Sequence, residues 1–398
     1  MSERTLQDAV RMHGKLADAN RAVQETALAP TLTKELKIRF GMKEAAVLVG
    51  RSDESIRTAE KDGRLPAPEI GANGRRLGYT VADLQRMRQH FGTLPWRTET
   101  DEPVIMAVYN FKGGVGKSTL TLHLAHYLAL KGYRVLIMDA DAQGSQSALN
   151  GLKYGIDFES DRTLSPFLDR ENPEPSLHYA ICNTAWPNVD IIPACVELFN
   201  TEYDLIMSGL TGVADSIRRL RHAVNEVAQA YDVVLIDSPP ALNQVGLAVL
   251  QTANALLVPM PPNWVDAKSS EDYMGMIAGI VTQLENSRRD AGADFDIDYK
   301  FIKYITTRYN NRDTLQSGFR EFYYKQMPLD FIEEPFLESA AISGALQIGH
   351  SIYELAEAVV HRDTLKRCRA NLESLFGEIE TLIRRSWPST AEALGEVA

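Results

Sequence analysis

The sequence is poor in the features that mark secreted, membrane-spanning and metal-cluster proteins. It has 3 cysteines in 398 residues, and Cys182, Cys195 and Cys368 show neither a CxxC motif nor a metal-ligand spacing. No apolar run approaches the roughly 18 residues of a membrane span. The first residues lack the basic-then-apolar pattern of a signal peptide. We therefore expect a cytoplasmic protein with reduced cysteines and no membrane contact.

An overall excess of basic residues is also missing, because the formal net charge is −11. The charge is unevenly distributed, however. Residues 36–98 hold 12 Lys and Arg against 7 Asp and Glu, whereas residues 99–398 carry a net charge of −16. A basic segment joined to an acidic one indicates two parts with different partners, and nucleic acid is the typical partner of a basic part.

The most informative segment is the glycine-rich run FKGGVGKST at residues 111–119. An apolar stretch of strand composition precedes it at residues 104–109. After it, leucines recur at helical spacing until Gly132, a typical helix C-cap. Strand, glycine loop and helix in this order are the context of a phosphate-binding loop. A dinucleotide-binding interpretation fails because the required third glycine is missing.

The residue types of this loop suit a triphosphate. Glycines let backbone N–H groups surround the phosphates, and the helix N-terminus adds partial positive charge. Lys117 adds a full positive charge, and the Ser118 hydroxyl is of the type that binds Mg²⁺. The loop also contains a second lysine, Lys112, which an ordinary loop of this kind does not need.

Carboxylates follow two further apolar runs of strand length. Asp139 and Asp141 end the run at residues 134–138, and Asp237 ends the run at residues 233–236. Because open parallel sheets bind ligands at the carboxyl ends of their strands, we expect these side chains near the phosphates. They are candidates to order Mg²⁺ and to orient or activate the attacking water. These residues predict ATP hydrolysis.

Strand-like runs alternate with helical patterns from residue 104 onward, which predicts βαβ units and a mostly parallel, doubly wound α/β sheet of the P-loop NTPase class. The predicted strands are Val104–Tyr109, Arg134–Met138, Val189–Ile192, Val233–Asp237, Ala255–Met260 and Phe301–Thr306. We divide the chain into residues 1–36, 37–97, a polar linker at 98–103, and an ATPase domain at 104–398 with C-terminal helices.

The segment 1–36 has apolar residues at mixed three- and four-residue spacings, which predicts an amphipathic helix. Such a helix is too exposed to stand alone and needs a partner. We favour a contact with a second copy of the chain slightly over packing within one chain.

Residues 37–97 have the pattern of a winged helix-turn-helix. One helix is predicted from Met42 to a stop at Gly50, a second begins after Ser52, and a hairpin with paired arginines precedes a helix from Val81. In such a module the second helix enters the major groove and the wing contacts phosphates. The candidate DNA-contacting residues are Arg51, Ser55, Arg57, Arg75 and Arg76.

The loop at 112–119, the DAD sequence at 139–141 and the DSPP sequence at 237–240 together resemble the deviant Walker ATPases of the ParA/MinD family. The basic module ahead of them is similar to the long plasmid-borne ParA type, which includes the RepA partition proteins of repABC plasmids. Segments 304–309 and 336–343 also resemble that group, so the likeness covers most of the chain. Ala142 departs from the proline usual in the family.

The resemblance implies a role for each site residue. Lys112 would reach across an ATP-sandwich homodimer to the partner's phosphates, Asp141 would act on water, and Thr119 would contact the α-phosphate. The implied catalytic residues are Lys112, Lys117 and Asp141, and the implied Mg²⁺ residues are Ser118, Asp139, Asp141 and Asp237. The implied ATP/ADP-binding residues are Lys112, Gly113, Gly114, Val115, Gly116, Lys117, Ser118, Thr119, Asp237, Pro261 and Arg308, of which Pro261 and Arg308 would border the adenine.

The resemblance also implies a function, namely plasmid DNA segregation. ATP-bound dimers would coat nucleoid DNA without sequence preference. A ParB-type centromere-binding partner would stimulate a weak, Mg²⁺-dependent ATPase and so release the DNA. The N-terminal module would bind the operator and repress the protein's own operon. A basic run at Arg362, Lys366, Arg367 and Arg369 is one candidate for the non-specific DNA surface, although such a run is equally typical of a solvated helix face.

Other functions fit parts of the sequence. A MinD-like positioning ATPase needs an exposed amphipathic helix, and the apolar stripe at residues 372–383 has that spacing, although such a stripe more often packs in a core. A nitrogenase-type reductase needs cluster-ligating cysteines, which are missing after Asp141 and Asp237. An ATP/ADP-sensing transcriptional repressor without a transport role remains open, because the same residues would serve it.

Overall fold

The computed structural model describes residues 7, 10–12, 14–16, 18–19, 35–169, 171–207, 209–291, 298–355 and 361–390. The chain divides into two compact units, residues 1–36 and residues 37–398. In the first unit, the described residues between 7 and 19 are helical. The rest of the predicted amphipathic helix lies outside the described residues, and so does the dimer contact expected of it.

The second unit begins with three short helices: α1 (Met42–Val49), α2 (Asp53–Lys61) and α3 (Val81–Phe91). Gly50 ends α1 in the left-handed conformation at φ 71°. The Ser52 side chain accepts a hydrogen bond from the backbone N–H of Ser55 and so caps α2. Between α2 and α3, the backbone N–H of Gly71 donates to Arg75 over 2.8 Å and forms a small hairpin. The predicted order of helices and hairpin is therefore present.

The remainder of the chain alternates strands and helices. Its strands are β1 (Val104–Val108), β2 (Val135–Asp139), β3 (Cys182–Asn183), β4 (Val189–Ile192), β5 (Val233–Asp237), β6 (Ala255–Met260) and β7 (Phe301–Thr306). Its helices are α4 (Lys117–Lys131), α5 (Ser145–Leu149), α6 (Ser165–Leu168), α7 (Leu198–Met207), α8 (Gly209–Ala228), α9 (Gln244–Thr252), α10 (Trp264–Ala291), α11 (Thr314–Gln326), α12 (Ala340–Gln347) and α13 (Arg362–Arg385), with two short 3₁₀ turns at Ser160–Arg162 and His178–Ala180.

In the part of the chain that the structure describes, seven strands form one sheet in the order β3-β4-β2-β5-β1-β6-β7. Every pairing is parallel except the one between β3 and β4. Strands β1, β2, β5 and β6 are buried along their whole length because helices cover both faces. The prediction of a mostly parallel, doubly wound sheet is confirmed, and the antiparallel edge strand β3 was not predicted.

Helix α13 packs its apolar stripe into the core. Leu372, Leu375, Phe376, Ile379 and Ile383 are fully buried. This stripe is therefore occupied by intramolecular packing and is not a face offered to a membrane. Among the residues that the structure describes, no helix combines the length and apolar character of a membrane span.

Two arginines of the basic run on α13 form hydrogen bonds within the chain. Arg369 donates to the backbone oxygens of Ile352 and Leu355 over 3.2 and 3.1 Å, and Arg367 donates to Asp363 within its own helix. Arg369 therefore fastens the preceding segment to α13, which does not suit the DNA-surface role considered for it.

The segment between α3 and β1 is tied firmly to the sheet. The Arg97 side chain donates to the backbone oxygens of Tyr231, Asp101 and Gln229 over 2.9, 2.7 and 2.6 Å. The Asp101 carboxylate accepts from the backbone and hydroxyl of Ser389 just beyond α13. Residues 97–103, although polar in composition, connect the N-terminal helices to the sheet through fixed contacts.

Candidate nucleotide-binding site

The glycine-rich loop lies between β1 and α4 at the carboxyl edge of the sheet. The sheet order places β5 between β1 and β2. In register, Val108 of β1 and Asp139 of β2 both lie beside Asp237 of β5. The ends of these three central strands therefore bring the loop and the two strand-ending carboxylates to one place, as expected for a ligand site of an open parallel sheet.

Two glycines of the loop adopt backbone conformations that other residues disfavour. Gly114 has φ 75° and Gly116, which caps α4, has φ 98°. The two residues that follow β7 hold the loop from the other side: the Thr307 hydroxyl donates to Val115 O over 2.7 Å, and Arg308 donates to Gly114 O over 3.1 Å. Arg308 itself has φ 50°, a left-handed conformation rare for a non-glycine residue. The loop is thus fixed by residues nearly two hundred positions later.

Lys117, at the end of the loop, hydrogen-bonds back to the residues at its start. Its ammonium donates to Asn110 O over 2.9 Å and to Lys112 O over 3.1 Å, and the residue is buried. Burial lowers the pKa of Lys117, while the charges of Asp237 and Asp141 act in the opposite direction. A buried cation at the N-terminus of α4 is well placed for a polyphosphate.

The second lysine, Lys112, forms an ion pair with Asp266 in the first turn of α10. Asp266 is buried, whereas about a third of the Lys112 side chain is exposed. Asn110 fixes the backbone at this point, because its Oδ1 accepts from Lys112 N and its Nδ2 donates to Pro259 O. Lys112 therefore lies at the mouth of the site and contacts an acid of its own chain.

The two carboxylates after β2 differ in environment. Asp139 is fully buried, and its Oδ2 accepts from the backbone and hydroxyl of Ser147 over 2.9 and 2.8 Å. Asp141 is partly exposed and accepts from the backbone N–H of Gln143 over 3.0 Å. Burial, followed by the charge of Asp237, raises the pKa of Asp139. Asp139 thus anchors the loop that carries Asp141, and Asp141 is the more accessible of the two.

Asp237 is a buried carboxylate without a hydrogen-bonding partner. The residue is fully buried, and neither side-chain oxygen accepts a hydrogen bond. Burial raises the pKa of Asp237, against the effects of nearby Ser118 and Lys117. A buried, unpaired carboxylate is costly unless a ligand or cation compensates it. Its chemistry and its position next to the Ser118 hydroxyl fit Mg²⁺.

No group of three or more His, Cys, Asp and Glu side chains forms a ready metal cage among the described residues. Mg²⁺ usually takes one or two protein ligands together with waters and substrate phosphates. Gln146, which sequence reasoning missed, donates to Ser118 O over 2.6 Å and is fully buried. It holds the Ser118 backbone from the side of α5.

A cavity of about 270 Å³ opens beside the loop. Gly114, Gly116, Thr119 and Arg308 line one side of it. The other side is formed by a segment that sequence reasoning had not assigned to the site: Phe336, Leu337, Glu338, Ser339, Ile342, Ser343 and Leu346. Pro261 is buried and does not line this cavity. The apolar and polar groups together suit a base and ribose.

A larger cavity of about 960 Å³ lies away from the loop, among residues 160–207. Its lining includes the carboxylates of Asp161, Glu174, Glu197 and Asp204. Such a lining repels a polyphosphate, so size alone does not identify the nucleotide site.

The candidate DNA-contacting residues lie on the N-terminal helices and hairpin. Ser55, Arg57 and Arg75 are at least partly exposed. Arg51 donates to Phe91 O over 3.0 Å at the end of α3. Arg76 donates to Glu60 Oε2 over 2.8 Å, and the Tyr79 hydroxyl donates to Glu60 Oε1 over 2.6 Å. Arg76 therefore fastens the hairpin to α2 while about two fifths of its side chain stays exposed.

Comparison with known proteins gives a consistent set of relatives. The family model described as an AAA domain matches residues 104–287. The chain is 31% identical over 374 residues to the "Putative replication protein A" of Sinorhizobium fredii, covering 90% of this chain and 89% of the relative. It is 36% identical over 294 residues to the protein SopA of Escherichia coli, covering 72% and 73%. A solved structure described as a partition protein superimposes with a TM-score of 0.59 at 19% identity, over 96% of this chain and 99% of that one.

Proposed function

Because this chain belongs to the ParA family of partition ATPases, we propose that it is the ATPase of a plasmid segregation system. In this proposal it binds ATP with Mg²⁺, hydrolyses ATP weakly alone and faster with a centromere-binding partner, and binds DNA. The observation that carries the proposal is the unpaired, buried Asp237 beside Ser118 and the buried Lys117.

The residues at the carboxyl edge of the sheet divide the chemistry between them. Loop N–H groups and Lys117 would bind the β- and γ-phosphates, and Ser118 and Asp237 would hold Mg²⁺. The bound Mg²⁺ would neutralise charge on the phosphates. Asp141 orients or activates the attacking water, since it is the accessible carboxylate. Asp139, whose hydrogen bonds go to Ser147 and the Asp141 backbone, holds that loop in position.

Lys112 acts in a dimer. Its ammonium lies at the edge of the site rather than over the loop, in an ion pair with Asp266. In the proposal two ATP-bound copies face each other, and each Lys112 leaves Asp266 for the phosphates of the other copy. A cation supplied in trans stabilises the charge that develops on the transferring phosphoryl group.

The base would lie in the cavity beside Thr119, Arg308 and residues 336–346. This location keeps the expected role of Arg308. Pro261 shapes the site indirectly instead, because its backbone oxygen accepts from Asn263 N over 2.9 Å at the start of α10, where Asp266 lies.

The three N-terminal helices and the hairpin act as a winged helix-turn-helix. Ser55 and Arg57 on α2 face the major groove, and Arg75 and the free part of Arg76 contact phosphates on either side. This module binds the operator of the protein's own operon, whereas the ATP-bound dimer binds nucleoid DNA without sequence preference.

The test is the hydrolysis rate of the purified chain with Mg²⁺, measured with and without centromere DNA and the product of a ParB-like gene next to its own. We expect a slow basal rate that the complete mixture raises. Lys117→Ala should abolish nucleotide binding. Lys112→Ala should keep nucleotide binding yet lose the stimulated rate by on the order of 10³-fold. A Lys112→Ala protein that hydrolyses ATP as fast as the parent would refute the role in trans.

A further inference from the structure

The buried residue Arg88 joins the N-terminal helices to the phosphate-loop helix. It lies in α3 with a relative exposure of 1%. Its Nη2 donates to Leu48 O near the end of α1 over 2.9 Å and also to Leu130 O in the last turn of α4. At Gly132, the C-cap of α4, an added Cβ would lie 2.8 Å from Arg88 Cδ. Glycine at this position leaves room for the arginine.

Two more side chains from the N-terminal part reach the same helix end. Gln85 Nε2 and Trp96 Nε1 both donate to Gly132 O, over 3.2 and 3.0 Å. The C-terminal carbonyls of a helix carry partial negative charge, so a cation there is stabilising. Burial lowers the pKa of Arg88 to about 10, with Glu380 acting in the opposite direction. Arg88 therefore stays charged at neutral pH.

The other end of α4 is the phosphate loop. The helix begins at Lys117, and twelve of its fifteen residues are buried. Its length is about 22 Å at 1.5 Å per residue. A helix buried over most of its length is held by close packing and moves as one body, so a shift at Lys117 is carried to Leu130.

We propose that Arg88 couples the nucleotide site to the N-terminal DNA-binding module through the phosphate-loop helix. The proposal rests on the proposed function, since it requires that the chain bind both ATP and DNA. In this proposal, the phosphate loop changes conformation when it binds a triphosphate, and this change displaces α4. The hydrogen bonds from Arg88 to Leu130 O and Leu48 O transmit the displacement to α3 and α1. Because coupling is reciprocal, DNA on the module changes nucleotide affinity by the same factor.

The experiment measures this coupling factor in the full chain. The affinity for a labelled duplex from the region upstream of the protein's own coding sequence is measured at fixed salt with no nucleotide, with ADP and with a slowly hydrolysed ATP analogue. We expect nucleotide to change the parent's affinity by roughly 5- to 150-fold. In Arg88→Met the factor should fall to about 1, while fluorescent ADP still binds.

The matched control is Arg86→Met. Arg86 lies on the same helix, is exposed, and pairs with Asp83 of α3 itself. It should keep the parental factor. An Arg88→Met protein with the parental factor, or a parent whose two ligands bind independently, would overturn the coupling. Failure of the parent to bind nucleotide or DNA at all would instead overturn the proposed function, and the coupling with it.

Arg88→Met leaves two carbonyls without their donor and risks unfolding, so hydrogen exchange of the parent provides a second measurement. Binding of the ATP analogue should slow exchange at residues 128–132 and also at residues 46–50, which include Leu48, the second acceptor of Arg88. Slowing confined to the loop and the first turns of α4 would contradict the proposal.

Discussion

Asp232 directly precedes the central strand β5 and Asp237 is its last residue; both are fully buried, yet only Asp232 is paired. Asp232 accepts hydrogen bonds from the backbone N–H groups of Arg97 and Arg134 and from the Arg134 guanidinium, over 2.7 to 3.1 Å. Asp237 accepts none. The carboxylate at the start of β5 is thus hydrogen-bonded within the fold, whereas the carboxylate at its end is available to a ligand.

Replacing these two residues should have opposite effects on stability. Asp237→Asn removes a buried, unpaired charge and should raise the free energy of unfolding by roughly 1 to 3 kcal/mol in the absence of nucleotide and Mg²⁺. Asp232→Asn weakens the hydrogen bonds from the backbone N–H groups of Arg97 and Arg134 and should lower the free energy of unfolding by about 1 to 3 kcal/mol. Urea unfolding measures both. A loss of stability in Asp237→Asn comparable to that in Asp232→Asn would contradict the assignment.

The gain in Asp237→Asn should depend on pH. The raised pKa of Asp237 means that the native chain holds the proton more tightly than the unfolded chain. Ionisation of Asp237 therefore lowers the free energy of unfolding of the parent as the pH rises through the native pKa. The Asp237→Asn variant has no such ionisation, so its free energy of unfolding does not fall for this reason. Its advantage over the parent should be larger at pH 8 than at pH 6. Mg²⁺-dependent stabilisation by ADP should be lost in the variant at either pH.

The ion pair between Lys112 and Asp266 should compete with self-association. Asp266→Asn frees Lys112, so ATP-dependent dimers should form at about two- to fivefold lower protein concentration, as expected for a partly exposed pair. Light scattering after size-exclusion chromatography measures the dimer fraction. Asp272→Asn is the matched control, because Asp272 lies on the same helix and pairs with the exposed Lys268. Equal association in both variants would exclude the competition.

His123 should make the fold sensitive to acid. It is fully buried, its Nδ1 lies 2.7 Å from Thr119 O, and its Nε2 accepts from Ile352 N over 3.3 Å. Only a neutral ring with hydrogen on Nδ1 satisfies both contacts. Burial lowers the pKa of His123 to about 4.

Below about pH 6.5 the unfolded chain binds a proton at His123 that the native chain does not bind. The contribution of the neutral His123 ring to the free energy of unfolding is therefore complete above about pH 6.5 and is lost as the pH falls towards 4. The loss amounts to about 2 kcal/mol by pH 5 and to about 3 kcal/mol in full. In His123→Gln, the free energy of unfolding should fall by about 2 kcal/mol less than in the parent between pH 7.5 and pH 5, and denaturant titrations at both values measure it. His178→Gln, at an exposed position, should behave as the parent.

Gly246 in α9 has no room for a side chain. An added Cβ would lie 2.2 Å from the Tyr109 hydroxyl and 2.7 Å from Ala241 O, and these two groups hydrogen-bond each other. Gly246→Ala should destabilise the fold by about 1 to 3 kcal/mol. Gly275→Ala, in α10 with open space around it, should be neutral or stabilising. Adding Tyr109→Phe to Gly246→Ala should recover part of the loss, and an unchanged loss would place the strain elsewhere.

The sequence predicted those parts of the structure that have a local signal. The central strands have continuous apolar runs ended by aspartate or turn residues, and their predicted bounds differ from the observed ones by one residue at most. The phosphate loop is likewise a local motif. Strand β3 has only two residues, so no periodicity could reveal it.

Contacts between distant residues could not be predicted in this way. Asp266 pairs with Lys112 from more than 150 positions away, and the cavity wall at residues 336–346 is more than 200 positions from the loop that it faces. Neither segment carries a composition that indicates a ligand. The polar segment at 98–103 has the composition of a linker, and only the structure reveals the bonds of Arg97 and Asp101.

Through those hydrogen bonds, residues 97–102 connect the start of β5 to the segment just beyond α13. Asp101 holds Ser389, and the Trp387 indole donates to Glu102 O over 3.0 Å. The polar composition of residues 98–103 suggests a truncation at residue 103. That truncation would remove the hydrogen bond from Arg97 to Asp232 and expose Trp387. An independently folding ATPase should therefore be produced from a point before Arg97 to a point beyond Ser389.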